Sequence, residues 1–177
     1  MFRAIRHDGS YTGNMKTTKT KAVVISFVVL IGVLWLRHYF SPGEVVKRKL
    51  FGTVEAFEKE SLLGVMAAIS RSYSDPWGFD YETVGGNLHQ IMESYDDLDV
   101  DVVIGGVAAS EEQVRIGFEF VVSGRYDGAK ESVVGSGGDP CTAVLVWRKE
   151  APGWRLASTA ELDIPELRGE LEARRLR

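Results

Sequence analysis

Asp97-Leu-Asp-Val-Asp-Val-Val-Ile104 is where the chain changes its period. Leu98, Val100, Val102 and Ile104 alternate with Asp97, Asp99, Asp101 and Val103, a two-residue repeat that predicts a strand with one face on a core and the other in water. Before this stretch apolar residues recur every three or four positions, and after it they alternate. Helices first and strands afterwards predict an α+β domain, with three helices packed on one face of a curved antiparallel sheet.

Upstream, Ser41-Pro42-Gly43-Glu44 carries a cap, a proline suited to a first helical turn and a glutamate placed for a capping box. The helix it opens is predicted to run to about Glu60, with Val46, Leu50, Val54 and Phe57 on one stripe. Glu44 with Arg48 and Glu55 with Lys59 are spaced for surface ion pairs. Ser61 caps a shorter helix that buries Leu62, Val65, Met66 and Ile69, and Pro76 and Gly78 keep the link of residues 70–80 from continuing it. Asp80 caps a third helix, Tyr81 to about Tyr95, where paired Gly85 and Gly86 predict close approach by a neighbouring backbone.

Downstream, the turn Ala109–Gln113 leads into a second strand, Val114 to about Arg125, with Ile116, Phe118 and Phe120 on one face and Arg115 and Glu119 on the other. Residues 127–140, rich in Gly and Ser, predict a loop, mobile around Gly135–Asp139. That segment lacks both the Gly-Lys-Ser/Thr of a phosphate loop and the glycine a nucleophile elbow needs before Ser136. Thr142–Arg148 and Trp154–Leu162, joined by a tight turn at Ala151-Pro-Gly153, predict a hairpin, and residues 164–177 a short C-terminal helix or tail.

The other end of the chain is different in kind. Residues 1–20 are polar and predict a disordered tail, with Met15 a second plausible start. Ala22 to Leu36 holds one polar side chain, Ser26, and with its flanks makes residues 21–40 a transmembrane signal anchor close to the roughly 20 residues that cross a bilayer. No Ala-x-Ala site follows, so an uncleaved anchor is the reading preferred to a signal peptide or a buried helix. Five basic residues precede the span, four follow closely, and a large domain lies beyond, which predicts a single-pass protein with its domain extracytoplasmic. Residues 1–40 carry a net +5 and residues 41–177 a net −9, and an acidic domain argues against nucleic acid. Cys141 is the only cysteine, which excludes an intrachain disulfide and a cysteine-rich zinc site.

The helix of 42–60, the short second helix, the aromatic Tyr-x-Asp-Pro-x-Gly link of Tyr73 to Gly78, the third helix and a strand meander ending Trp154-Arg-Leu156 together resemble the nuclear transport factor 2-like, ketosteroid isomerase-like cone fold over residues 42–163. The resemblance implies a pocket between the helices and the concave sheet. It extends to isomerases, dehydratases, polyketide cyclases and non-catalytic binding domains, so it does not imply one function. A single span ahead of such a domain also resembles, in layout only, inner-membrane components of type IV secretion systems.

The isomerases carry a tyrosine on the first helix, whereas Lys47 to Phe57 offers only Phe51 and Phe57 as aromatics. No catalytic set, cofactor or metal site is therefore assigned. Asp97, Asp99 and Asp101 stand about 6.5–7 Å apart on alternate strand positions, too far to share an ion. His89, the one histidine of residues 42–163, is expected half-buried on the third helix. Tyr73, Trp77, Phe79 and Tyr81 form the densest aromatic group, and Tyr73, Trp77, Tyr81, His89, Phe118 and Phe120 are the expected pocket residues.

The reading is a bacterial-type, single-span protein whose domain binds a protein partner or a small apolar ligand without catalysis. Its alternatives are a pocket enzyme of isomerase, dehydratase or cyclase type with Asp75 or Glu119 as base, and a structural subunit of an envelope assembly that self-associates through the sheet as a homodimer.

Overall fold

The structure, a computed structural model, describes residues 15–164, with side chains described from Ser26 onward. It divides at Phe40/Ser41 into two units. Residues 1–14 of the predicted tail at 1–20 and residues 165–177 of the predicted C-terminal segment at 164–177 lie outside the described residues.

The first unit contains one helix, α1 (Met15–Tyr39), which starts ahead of the expected boundary at 21. Phe27, Val29, Leu30, Ile31, Val33, Leu34 and Trp35 are all exposed, so residues 27–35 of this helix are apolar around the circumference. Among the described residues no helix is long and apolar enough to cross a membrane. The expected span reaches back to Ala22, and the side chains of 22–25 lie outside the described residues.

The second unit runs α2 (Pro42–Glu58), α3 (Leu62–Met66), α4 (Tyr81–Ser94), β1 (Asp96–Ala109), β2 (Gln113–Tyr126), β3 (Ala129–Val134), β4 (Cys141–Glu150) and β5 (Gly153–Asp163). The caps fall where the sequence puts them. Ser41 Oγ accepts from Glu44 N, Ser61 Oγ from Gly64 N, and Asp80 Oδ1 from Thr83 N and Oγ1. Glu55 pairs with Lys59 as spaced, and Glu44 pairs with Lys47 at 2.8 Å.

The Thr83 hydroxyl and amide together hold the Asp80 carboxyl below its ordinary range. A depressed carboxyl contributes stability above its unfolded pKa and loses that contribution as pH falls through the folded one. Between about pH 6 and about pH 2 the thermal midpoint should therefore fall more steeply in the parent than in Asp80→Asn, whose amide still caps the helix without titrating.

The sheet has the order β1-β2-β4-β5, with β3 on the far half of β2, and all pairings are antiparallel. Its inner rows can be followed across the strands: Val102-Phe120-Cys141, Ile104-Phe118-Ala143-Leu162, Val107-Ile116-Leu145-Thr159 and Ala109-Val114-Trp147-Leu156. A bulge between Ile104 and Gly106 changes which residues of β1 face inward, from even to odd numbers, so both halves of a long strand meet the helices. Gly43 then lies against Val107 and Ala109, a contact of the first turn of α2 with the far end of β1. Val46, Leu50, Ala68, Val114, Ile116, Trp147 and Trp154 close the core beneath α2.

Two expectations are corrected. Residues 127–140 are not a loop: Asp127 (φ 50°) and Gly128 (φ 80°) turn β2 back into β3, and Ser136 and Asp139 exchange backbone hydrogen bonds in a second tight turn. Two successive positive φ values are what a two-residue hairpin turn requires, and Asp-Gly supplies them. The glycine pair of α4 does not admit a backbone. A Cβ on Gly85 would lie 3.1 Å from Met66 Cε, a side chain, and one on Gly86 would meet nothing within 4 Å.

Gly135 is the glycine least open to change. It sits at φ +69°, and a Cβ there would stand 3.0 Å from Cys141 Sγ and 3.1 Å from Cys141 N. Gly135→Ala should therefore cost about 1–3 kcal/mol in a denaturant titration, from backbone strain and the clash together.

Candidate functional site

The link between α3 and α4 is laid along β5 by main-chain bonds: Leu156 N donates to Ala68 O, Ser70 N to Leu156 O and Ser74 N to Ala157 O. Ser70 Oγ donates to Glu150 Oε1 at 2.7 Å and fixes the β4–β5 hairpin to the same segment. This brings Tyr73, 6% exposed, against Thr159 on β5, 8% exposed. Tyr73 Oη lies 2.9 Å from Thr159 Oγ1 and donates to Asp75 Oδ2 at 3.0 Å. Asp75 Oδ1 accepts the amides of Trp77 and Phe79, each at 3.0 Å, so this carboxylate both shapes the turn and orients the phenol. Burial pushes the Tyr73 phenol well above its ordinary range; the Thr159 hydrogen bond pulls the other way and the Asp75 charge pushes it further up. Tyr73 is a neutral phenol throughout the physiological range.

This corner opens on a cavity of about 890 Å³ between α4 and the sheet. Val84, Leu88 and Ile91 of α4 form one wall, Val133 and Val134 of β3 and Leu162 of β5 the opposite one, and Tyr95 and Tyr126, ring centroids 5.9 Å apart, also line it. Val84 and Leu88 of α4 pack half-buried against the core cluster of Val65, Ile69 and Tyr73 and also line this cavity, so no residue of α4 is fully buried. Asp75 is the one carboxylate that lines it among the described residues.

A shallower hollow of about 920 Å³ at the tip of the β1–β2 hairpin shares no lining residue with the cavity. Its sides include the exposed Glu112, Arg115, Arg148 and Lys149, and it lacks both an apolar wall and a buried polar group. The cavity beside α4 is the better site on both counts.

Of the expected pocket residues, only Tyr73 lines this cavity. Trp77 is buried within the link. Tyr81 stands under the Arg71 guanidinium, 4.3 Å from the ring centroid, and faces a separate groove bounded by Met66 and Arg155. His89 is not half-buried: its side chain is 58% exposed and Nε2 lies 3.3 Å from Glu93 Oε1, one turn along the outer face of α4. The Phe118 and Phe120 rings lie tilted against each other, centroids 5.4 Å apart, on the inner sheet face, and Phe118 packs on the closed core beneath α2. Glu119 is exposed, on the alternate face of β2 from Phe118 and Phe120. Asp97 pairs with Arg125 at 3.4 Å and Asp99 with Lys130 at 3.2 Å on the outer surface. Among the described residues no group of three His, Cys, Asp or Glu could hold a metal ion.

Sequence reasoning missed Thr159, the α4 stripe and the Tyr95/Tyr126 pair. A four-then-three spacing at Val84, Leu88 and Ile91 was readable, but an apolar stripe looks the same whether it closes on a core or walls a cavity.

No family model and no curated protein matches the chain. Solved structures do. A nuclear transport factor 2-like superfamily protein from Salmonella enterica serovar Typhimurium LT2 matches with a TM-score of 0.57 at 11% identity, over 70% of this chain and 90% of that one. A proposed scytalone dehydratase from Novosphingobium aromaticivorans matches with a TM-score of 0.57 at 11% identity, over 67% and 80%. A proposed calcium/calmodulin-dependent protein kinase type II association domain from Thiobacillus denitrificans gives 0.51 at 16% identity, over 68% and 92%. The chain has the nuclear transport factor 2-like cone fold, and at these identities the likeness speaks to fold alone.

Proposed function

We propose that the cavity between α4 and the sheet is a small-molecule site for a largely apolar ligand with one polar end, held at the Tyr73–Asp75–Thr159 corner. The observation that carries this reading is a cavity walled mainly by apolar side chains of α4, β3 and β5 beside a buried, hydrogen-bonded phenol. Titration of the full-length protein in detergent with a naphthalene-sized fluorescent probe tests it. Saturable binding that is lost in Leu88→Trp, which fills the space, supports the site; equal binding by parent and variant contradicts it.

A catalytic use of the same site is the reading that the names of the similar structures favour over a purely non-catalytic binder, since they include dehydratases and a ketosteroid isomerase-like protein. Asp75 is then the base, because it lines the cavity and Glu119 does not. If an isomerisation or elimination is found, Asp75→Asn should lower kcat by about 10²–10⁴-fold with the fold intact. Full activity in that variant would remove Asp75 from the chemistry.

The anchor belongs to the same proposal. A helix with apolar side chains on every side needs an apolar surrounding, and residues 21–40 supply the length for a single span with the acidic domain outside. A reporter fused after Arg177 that works only in the cytoplasm would reverse this orientation.

A further inference from the structure

We propose that the Tyr73–Asp75–Thr159 corner selects ligands that carry a hydroxyl group, an alcohol or a phenol, and discriminates against the matching ketone. This rests on the small-molecule reading of the cavity and follows from counting protons.

The Asp75 carboxylate offers lone pairs only. Oδ1 takes the amides of Trp77 and Phe79, and Oδ2 takes the Tyr73 hydroxyl at 3.0 Å. The single proton of Tyr73 is thereby committed to Asp75. Tyr73 Oη and Thr159 Oγ1 stand 2.9 Å apart and need one proton between them, which must come from Thr159. The order is Thr159 to Tyr73 to Asp75, and both hydroxyl protons are used within the corner. The Thr159 main chain also bonds Tyr73 Oη, so what remains for a ligand is lone pairs on Thr159 Oγ1 and Asp75 Oδ2.

A ketone oxygen placed there would face only acceptors and lose its water without replacement. A hydroxyl supplies the proton the corner lacks. An ammonium is disfavoured, because Asp75 already accepts three hydrogen bonds and the apolar walls would not offset the loss of hydration. The polarity is the reverse of an oxyanion hole, where a tyrosine donates to developing negative charge. Other donors in the lining do not sit at the corner: Asn87, Gln90 and the Tyr126 hydroxyl lie on its exposed part, and the Tyr95 hydroxyl is hydrogen-bonded to Glu131.

The test is calorimetric titration of the full-length protein in detergent with 2-decalol and with 2-decalone, which differ in that one group. The alcohol should bind about tenfold or more tightly. In Asp75→Asn the amide oxygen can still hold the turn while its NH₂ donates to Tyr73. The phenol proton is then free for a ketone, and the preference should vanish or reverse. Tyr73→Phe, a second route, frees the Thr159 proton and should bring the two ligands to within about twofold. Thermal midpoints confirm that each variant is folded. A ketone that binds the parent as tightly as the alcohol overturns the proton order but leaves the cavity as a ligand site, and so does a preference unchanged in both variants. Failure of both compounds to bind overturns both readings.

Discussion

Trp147→Ala should destabilise the cone domain by about 3–5 kcal/mol in a denaturant titration, the range for removing a fully enclosed aromatic. Trp147 is 1% exposed and lies in one sheet row with Val114 and Leu156, within the cluster that Val46 and Leu50 close from above. Its indole nitrogen adds a second, opposite expectation. Among the described residues, Trp147 Nε1 is the one buried side-chain nitrogen or oxygen without a hydrogen-bond partner. Trp147→Phe removes that unpaired donor along with part of the ring, so its cost should stay below about half that of the alanine variant. A phenylalanine variant as damaging as the alanine one would mean that the indole nitrogen is bonded.

Replacing Leu30 and Val33 with arginine should remove the protein from the membrane fraction. Each arginine near the middle of a span costs about 2.5–3.5 kcal/mol on insertion scales, and two on a single helix exceed what a short apolar run supplies. The measurement is alkaline extraction of membranes followed by immunodetection. The parent should stay in the pellet and the double variant in the supernatant. A parent protein already in the supernatant would contradict the anchor and leave the account of the cone domain unchanged.

Much of this architecture was legible because it is governed by local rules. Ser41, Ser61 and Asp80 announce three helix starts through their side-chain oxygens, and all three accept the amides expected of a cap. The alternation from Leu98 to Ile104 and from Val114 to Phe120 places inner and outer faces correctly. β3 escaped because Ala129–Ser132 is exposed on both faces, so an edge strand of this kind carries no alternation to read. The Asp127-Gly128 dipeptide was its one signal.

The site was less legible than the fold. That Tyr73 meets Thr159 depends on the link lying along β5, a pairing between residues 86 apart with no sequence signature. His89 was expected half-buried from its neighbours Gly85 and Leu88, but at its own position it lies off the stripe of Val84, Leu88 and Ile91 and turns to Glu93 instead. A carboxylate beside a proline commonly shapes a turn, and that is one of the two things Asp75 does. Its grip on a buried phenol needed coordinates.

The cavity is the centre of the account, and amide chemical-shift mapping of the full-length protein in detergent, with and without 2-naphthol, tests it most directly. The account predicts saturable shifts at Tyr73, Leu88, Val134 and Thr159, with Val46 and Leu50 of the closed core unmoved. Shifts confined to the α2 face or the β1–β2 hairpin tip, with those four amides unchanged at saturation, would contradict it.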